Sequence, residues 1–246
     1  MTIILPEDKI LLINNSSILL KRVDTFSQIR LLIDKLCQAI DEIYPFISCK
    51  TDCSECCRDK SLALPVVTPV EWNEIFQFLL NLDENIRNKC IEKNLQNYKQ
   101  YNKIFQEIHN NIQGNLNKEK ILRFSKIFFE LDKKDLCPFL DESGNCIIYP
   151  VRPLKCQAYG NFLIIIENKL KFGACYYKIL KLETFLISKK INKPLMPIWN
   201  PFETCLMNLS NKIAPHSVPT ILPIWFYTHL NGKNLVNKIN FYPEYF

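Results

Sequence analysis

The chain has 246 residues, 48% apolar and 23% charged, and 31 basic against 25 acidic side chains give a formal net charge of +6. That mix and length suit a globular protein with a well-filled core, and the charge is spread without the dense basic run that would announce a nucleic-acid partner. Only five glycines occur, none as G-x-G, which excludes a dinucleotide-binding turn, a P-loop and the usual glycine-looped S-adenosylmethionine fold.

Two short apolar bursts, Ile3–Leu5 and Ile10–Ile13, open the chain, separated by Glu7, Asp8 and Lys9. No basic leader or small-residue cleavage site follows, so no export signal is expected. The longest apolar run, Phe162–Ile166, falls far short of a membrane span. These features predict a cytoplasmic protein without a membrane partner, whose thiols stay reduced.

Ile29, Ile33, Leu36, Cys37, Ile40 and Ile43 recur at helical spacing and predict an amphipathic helix over 25–46. Thr68-Pro69-Val70-Glu71 reads as a helix start, with a capping threonine, a first-turn proline and a glutamate to close the box. Trp72, Ile75, Phe76 and Leu79 then face inward. A longer helix over 84–112 carries Ile86, Cys90, Ile91, Leu95, Tyr98, Phe105, Ile108 and Ile112, with Gly114 to end it. Another is predicted over 117–131. Between 137 and 160 short apolar pieces alternate with turns, and Pro150 and Pro153 forbid a regular helix between them. Asn161–Ile166 and Leu170–Tyr177, joined by Glu167-Asn168-Lys169, predict a β-hairpin, followed by a helix over 178–189. The reading is an α+β, mainly α-helical chain with a cysteine-rich loop region and a small hairpin. It forms one domain, 1–246. A cysteine-cluster core spans 45–180 with a helical insertion at 68–131, and a helical, proline-rich extension covers 181–246.

Cysteine is the anomaly, with eleven residues. Eight lie in loops or at element ends. Cys49, Cys53, Cys56 and Cys57 form one tight group among polar neighbours, and Cys137, Cys146, Cys156 and Cys175 spread through the turn-rich segment. Short spacings such as C-x₃-C and C-x₂-C close small chelate loops at little entropic cost. Several thiolates carry more charge than one metal centre cancels, so nearby cations are expected. Arg58 and Arg152 stand beside these cysteines and are assigned that role. Tyr149 is read as a packed lid over the site. Cys37, Cys90 and Cys205 fall on apolar helical stripes and are read as core residues away from the other eight.

The pattern Cys49-x₃-Cys53-x₂-Cys56-Cys57, then Cys137-Pro138-Phe139-Leu140 and Gly144-x-Cys146-x-Ile148-Tyr149-x₂-Arg152-Pro153-x₂-Cys156, resembles the CxxxCxxCC, or YkgJ-type, cysteine-cluster proteins. The resemblance covers about 45–180 and implies a zinc- or iron-chelating domain. Gln157 stands where that family usually has arginine, and the spacer from Cys57 to Cys137 is long. Flagellin lysine-N-methylases share the cysteine pattern, so the resemblance also admits S-adenosylmethionine-dependent methyl transfer to a protein lysine.

Cys₄ zinc usually draws on two C-x₂-C knuckles, and this chain offers only Cys53-x₂-Cys56. C-x₃-C-x₂-C is a three-cysteine grip known from [4Fe–4S] clusters, and Cys137-Pro138 echoes ferredoxin ligand runs, which favours an iron–sulfur cluster over zinc. A conventional radical enzyme is not expected, because Glu55 rather than an aromatic precedes Cys56 and no βα-barrel periodicity follows. A cluster-binding redox or carrier protein, a methylase and a structural zinc domain all remain open, with a protein or small molecule as partner. His109, His216 and His229 form no nucleophile–histidine–acid spacing. Asp52, Glu55 and Asp141 read as solvated loop acids. Met196, Trp199, Trp225, Phe226 and Tyr227 read as core.

Overall fold

The structure, a computed structural model, describes residues 7–48, 57, 65–112 and 137–242. It is mainly α-helical with three small antiparallel strand pairs. The chain clusters into two compact units. One takes 1–51 and 154–209, the other 52–153 and 210–246.

The first unit is built on helix α3 (Phe26–Ile43), preceded by α1 (Glu7–Asn14) and α2 (Ser16–Leu20). Thr25 starts α3, where the Gln28 side-chain oxygen accepts the Thr25 N–H at 3.2 Å and the threonine oxygen accepts the Gln28 N–H at 3.4 Å. Ile29, Leu32, Ile33, Leu36, Ala39, Ile40 and Ile43 are buried along it. Cys37, on the edge of that stripe, is only half-buried. A 3-10 turn at Pro45–Ile47 follows.

Later in the chain come α6 (Leu154–Ala158), strands β2 (Leu163–Ile166) and β3 (Lys169–Phe172), and α7 (Tyr176–Lys189). Glu167 and Asn168 both have positive φ, 50° and 59°, the turn whose twist suits a two-residue hairpin. The predicted second strand ran on to Tyr177, but β3 stops at Phe172. Cys175 is the N-cap of α7, so the chain is helical from Tyr176. Phe162, Trp199 and Phe202 form an aromatic cluster, with the two phenylalanine rings edge to face at 5.3 Å.

In the second unit α4 (Pro69–Leu80) follows a short strand, β1 (Val66–Val67), and α5 (Glu84–Ile112) follows α4. The Glu71 carboxylate, buried at the α4 start, accepts the Thr68 N–H at 2.8 Å and the Thr68 hydroxyl at 2.7 Å. Trp72, Ile75, Phe76 and Leu79 are buried as the periodicity predicted. They meet helix α9 (Leu222–Thr228), where Trp225 stacks on Trp72 at 5.9 Å and its indole N–H donates to the Val67 carbonyl at 2.9 Å. Strand β4 (Thr220–Ile221) pairs with β1 just before α9. On α5, Cys90, Ile91, Tyr98 and Phe105 are buried, whereas Ile86 is exposed. Helix α8 (Asn200–Ile213) contains the boundary between the units, and a last strand pair covers Leu230–Asn231 and Asn234–Leu235. The predicted helix over 117–131 and Gly114 lie outside the described residues. No helix among the described residues is long and apolar enough to cross a membrane.

Candidate metal centre

In the second unit, Cys137 and Cys146 are the two ends of a closed turn. Leu140 bridges Cys146 in an antiparallel β-bridge, and the Ile147 N–H donates to the Phe139 carbonyl at 2.8 Å. At the tip, the Asp141 carboxylate accepts the Asn145 N–H at 2.6 Å, and the Gly144 N–H donates to the Asp141 carbonyl at 3.0 Å. Gly144, at φ 89°, supplies the left-handed conformation that this turn requires. Asp141 is thus a turn-former. Phe139 pins the turn to the core, fully buried and stacked on Phe226 at 5.2 Å.

The helix beneath this turn is α5. Cys90 and Lys93, three residues apart, lie on one helical face. The Lys93 ammonium donates to the Leu140 carbonyl at 2.7 Å. Burial pushes the Cys137 thiol up to about 12, with Cys146 and Cys90 adding to the effect and the Lys93 charge opposing it. Burial likewise raises Cys90 to about 11. Cys90 is buried as expected, but it is not remote from the candidate ligands: it shares a core cluster with Cys137 and Cys146 and is within electrostatic reach of Cys137. The sequence reading of Cys90 as distant is corrected here. Helical periodicity reports the face on which a residue lies, and it carries no information about the loop that packs on that face.

In the first unit, Cys156 lies on α6, one turn before Gly160, and Cys175 caps α7. The Gly160 N–H donates to the Gly173 carbonyl at 2.8 Å, so the chain segments carrying the two cysteines run together at the hairpin base. Both cysteines are half-buried. Gln157 is tied to α3, where it accepts from the Arg30 guanidinium at 3.3 Å and donates to Asp34. The Cys37 thiol donates to the Gln157 carbonyl at 3.7 Å.

Lys178, in the first turn of α7, is 4% exposed, and its ammonium donates to the Asn161 side-chain oxygen at 3.4 Å. Asp41 on α3 faces the Lys178 charge and is bonded to Ser48. Burial nevertheless holds its carboxyl above the usual carboxylate range.

Cys49, Cys53, Cys56 and Arg58 lie outside the described residues, and Cys57 is half-buried. Among the described residues, no three histidine, cysteine, aspartate or glutamate side chains come together as a metal site. What they offer is soft thiol donors, Cys137 with Cys146 in one unit and Cys156 with Cys175 in the other, which suit zinc or iron but need further ligands. Arg152 sits over the Tyr149 ring at 4.1 Å, and Tyr149 is 41% exposed.

His109 is buried with Nδ1 2.8 Å from the Thr220 hydroxyl, and burial lowers it to about 4. His229 accepts at Nε2 from the Asn240 N–H at 2.9 Å and faces the Trp225 carbonyl with Nδ1 at 2.7 Å, which fixes a neutral, structural ring. His216 is exposed. Met196, Trp199, Trp225 and Phe226 are buried, and Tyr227 is half-buried and stacked on Tyr98.

Sequence reasoning looked for arginines beside the cysteines and passed over Lys93 and Lys178. A signal was present, because Cys90-x₂-Lys93 and Cys175-x₂-Lys178 repeat one spacing, the spacing that places two side chains on the same side of a helix start or helix face. Comparison with models of protein families, with curated proteins and with solved structures gives no match.

Proposed function

We propose that the chain is a cysteine-cluster metalloprotein of the YkgJ kind, binding an iron–sulfur cluster, or zinc in its place, through thiolates drawn from Cys49, Cys53, Cys56, Cys57, Cys137, Cys146, Cys156 and Cys175. The observation that carries the reading is the Cys137–Cys146 turn. A hydrogen-bonded loop, anchored by a buried phenylalanine, holds two thiols within electrostatic reach of one another and presents them from a half-buried position. Apolar packing alone does not need two cysteines at those ends, and a metal binding there would take the place of the proton that burial favours on Cys137. Bound, the metal would supply redox or structural chemistry. The chain would supply the thiols, and Arg152 and Tyr149 at the rim.

The test is anaerobic purification followed by elemental analysis and visible absorption. Iron with acid-labile sulfide, or zinc, is expected at one or more atoms per chain. The paired change Cys137→Ala with Cys146→Ala should lower metal content, and Cys205→Ala should not. A metal-free wild-type protein that takes up neither zinc nor reconstituted iron and sulfide would refute the reading.

A further inference from the structure

Lys178 is the most exceptional polar group in the first unit. Lysine is almost never fully buried without a partner, because an ammonium leaves water at high cost. Here the side chain is 4% exposed, and among the described residues its three N–H donors have one hydrogen bond, a long one of 3.4 Å to Asn161. Asp41 faces its charge, and burial holds the Asp41 carboxyl above its usual range despite Lys178 and Ser48.

The backbone makes room for this ammonium at one point. A Cβ at Gly160 would stand 2.8 Å from both Cδ and Nζ of Lys178, so the absent side chain leaves space for the lysine tip, and Gly160 has φ +84°. Two cysteines lie near that point along the chain. Cys175 is the N-cap of α7 and Lys178 its third residue, an offset that puts two side chains on one side of a helix start. Cys175 makes no capping hydrogen bond. Cys156 lies one turn before Gly160, on the strand of chain joined to Gly173.

We propose that Lys178 is a positioning residue for the metal site, whose ammonium donates to the thiolate sulfurs of Cys175 and Cys156, or to the sulfide of a bound cluster, and offsets their negative charge. The inference rests on the metalloprotein reading and extends it. The cation expected from the thiolate count is a buried lysine on α7, in a cradle left by Gly160. Thiolates and sulfides are weak but anionic acceptors, and they supply what the two unengaged donors lack. Removing the charge leaves the thiolates less stabilised, which weakens metal binding and makes a cluster harder to reduce.

The experiment compares the full-length wild type with Lys178→Met, which keeps the unbranched shape, and with Gly160→Ala, which keeps the charge but crowds the tip. Each is loaded anaerobically with zinc alone, and separately with ferrous iron and sulfide. Zinc affinity is read by chelator competition, and the midpoint potential by redox titration. Lys178→Met is expected to bind zinc at least about tenfold more weakly, and its cluster to have a lower potential. Gly160→Ala should shift both in the same direction, and it serves if Lys178→Met does not fold. Asp41→Asn should change both less than Lys178→Met. Wild-type affinity and potential in a folded Lys178→Met protein would overturn the inference while leaving the metal site standing. A wild type that binds neither probe overturns the metalloprotein reading, and this inference with it.

Discussion

His109 gives the fold a calculable response to acid. The ring is buried and lies 2.8 Å from the Thr220 hydroxyl, and burial lowers it from 6.5 to about 4. The native state therefore holds the ring neutral over a range in which the unfolded chain protonates it. Between pH 6.5 and about 4 the unfolded state binds the extra proton, so stability is fully present above 6.5, falls as pH drops through this window, and levels off below it. The gap corresponds to at most about 3 kcal/mol. That is a large share of the roughly 5–15 kcal/mol typical of a domain. The assay is urea denaturation at several pH values from 7.5 to 4.5, for wild type and for His109→Gln, which retains a polar partner for Thr220 without the titration. His229, which burial also keeps neutral, is present in both proteins and cancels in the difference. At pH 7.5 the wild type should be the more stable, and the advantage should shrink by about 2–3 kcal/mol on reaching pH 4.5. A difference that stays constant with pH would refute the claim that His109 is held neutral.

Three further outcomes follow from packing and hydrogen bonding. Phe139→Ala should cost about 3–5 kcal/mol, and Phe139→Leu about 1–2, in denaturant melts, because the ring is fully buried against Phe226. Glu71→Ala should cost about 1–2 kcal/mol, since the Thr68 N–H and hydroxyl both donate to the buried carboxylate, and Glu71→Gln should cost less. Asn94 is fully buried on α5 with neither side-chain amide atom hydrogen-bonded among the described residues, so Asn94→Leu should raise stability by about 1 kcal/mol or more, measured by the denaturation midpoint.

What the sequence made legible was what repeats locally. The mainly α-helical α+β class, the burial of Ile29 to Ile43 on α3, the α4 start at Thr68 and the 84–112 helix each arise from periodicity or a cap, interactions spanning four residues or fewer. The hairpin was visible in its first strand and turn, and overrun in its second, because Cys175 does not belong to the usual N-cap residues and so hid the start of α7. Long-range placement had no such signal. Cys90 sits on a stripe indistinguishable from core, and the turn carrying Cys137 arrives from far along the chain. Arginine near cysteine in sequence suggested Arg152 as the neutralising charge, and its guanidinium stacks on Tyr149. The lysine that burial singles out stands one helical turn after a cysteine, and so does Lys93. A cation reaches a thiol on its own helix through a three-residue offset that the backbone fixes, whereas adjacency in an extended loop points successive side chains apart. A search for cations near thiols therefore has to read the C-x₂-K spacing on a helix as well as the neighbours of cysteines in a loop.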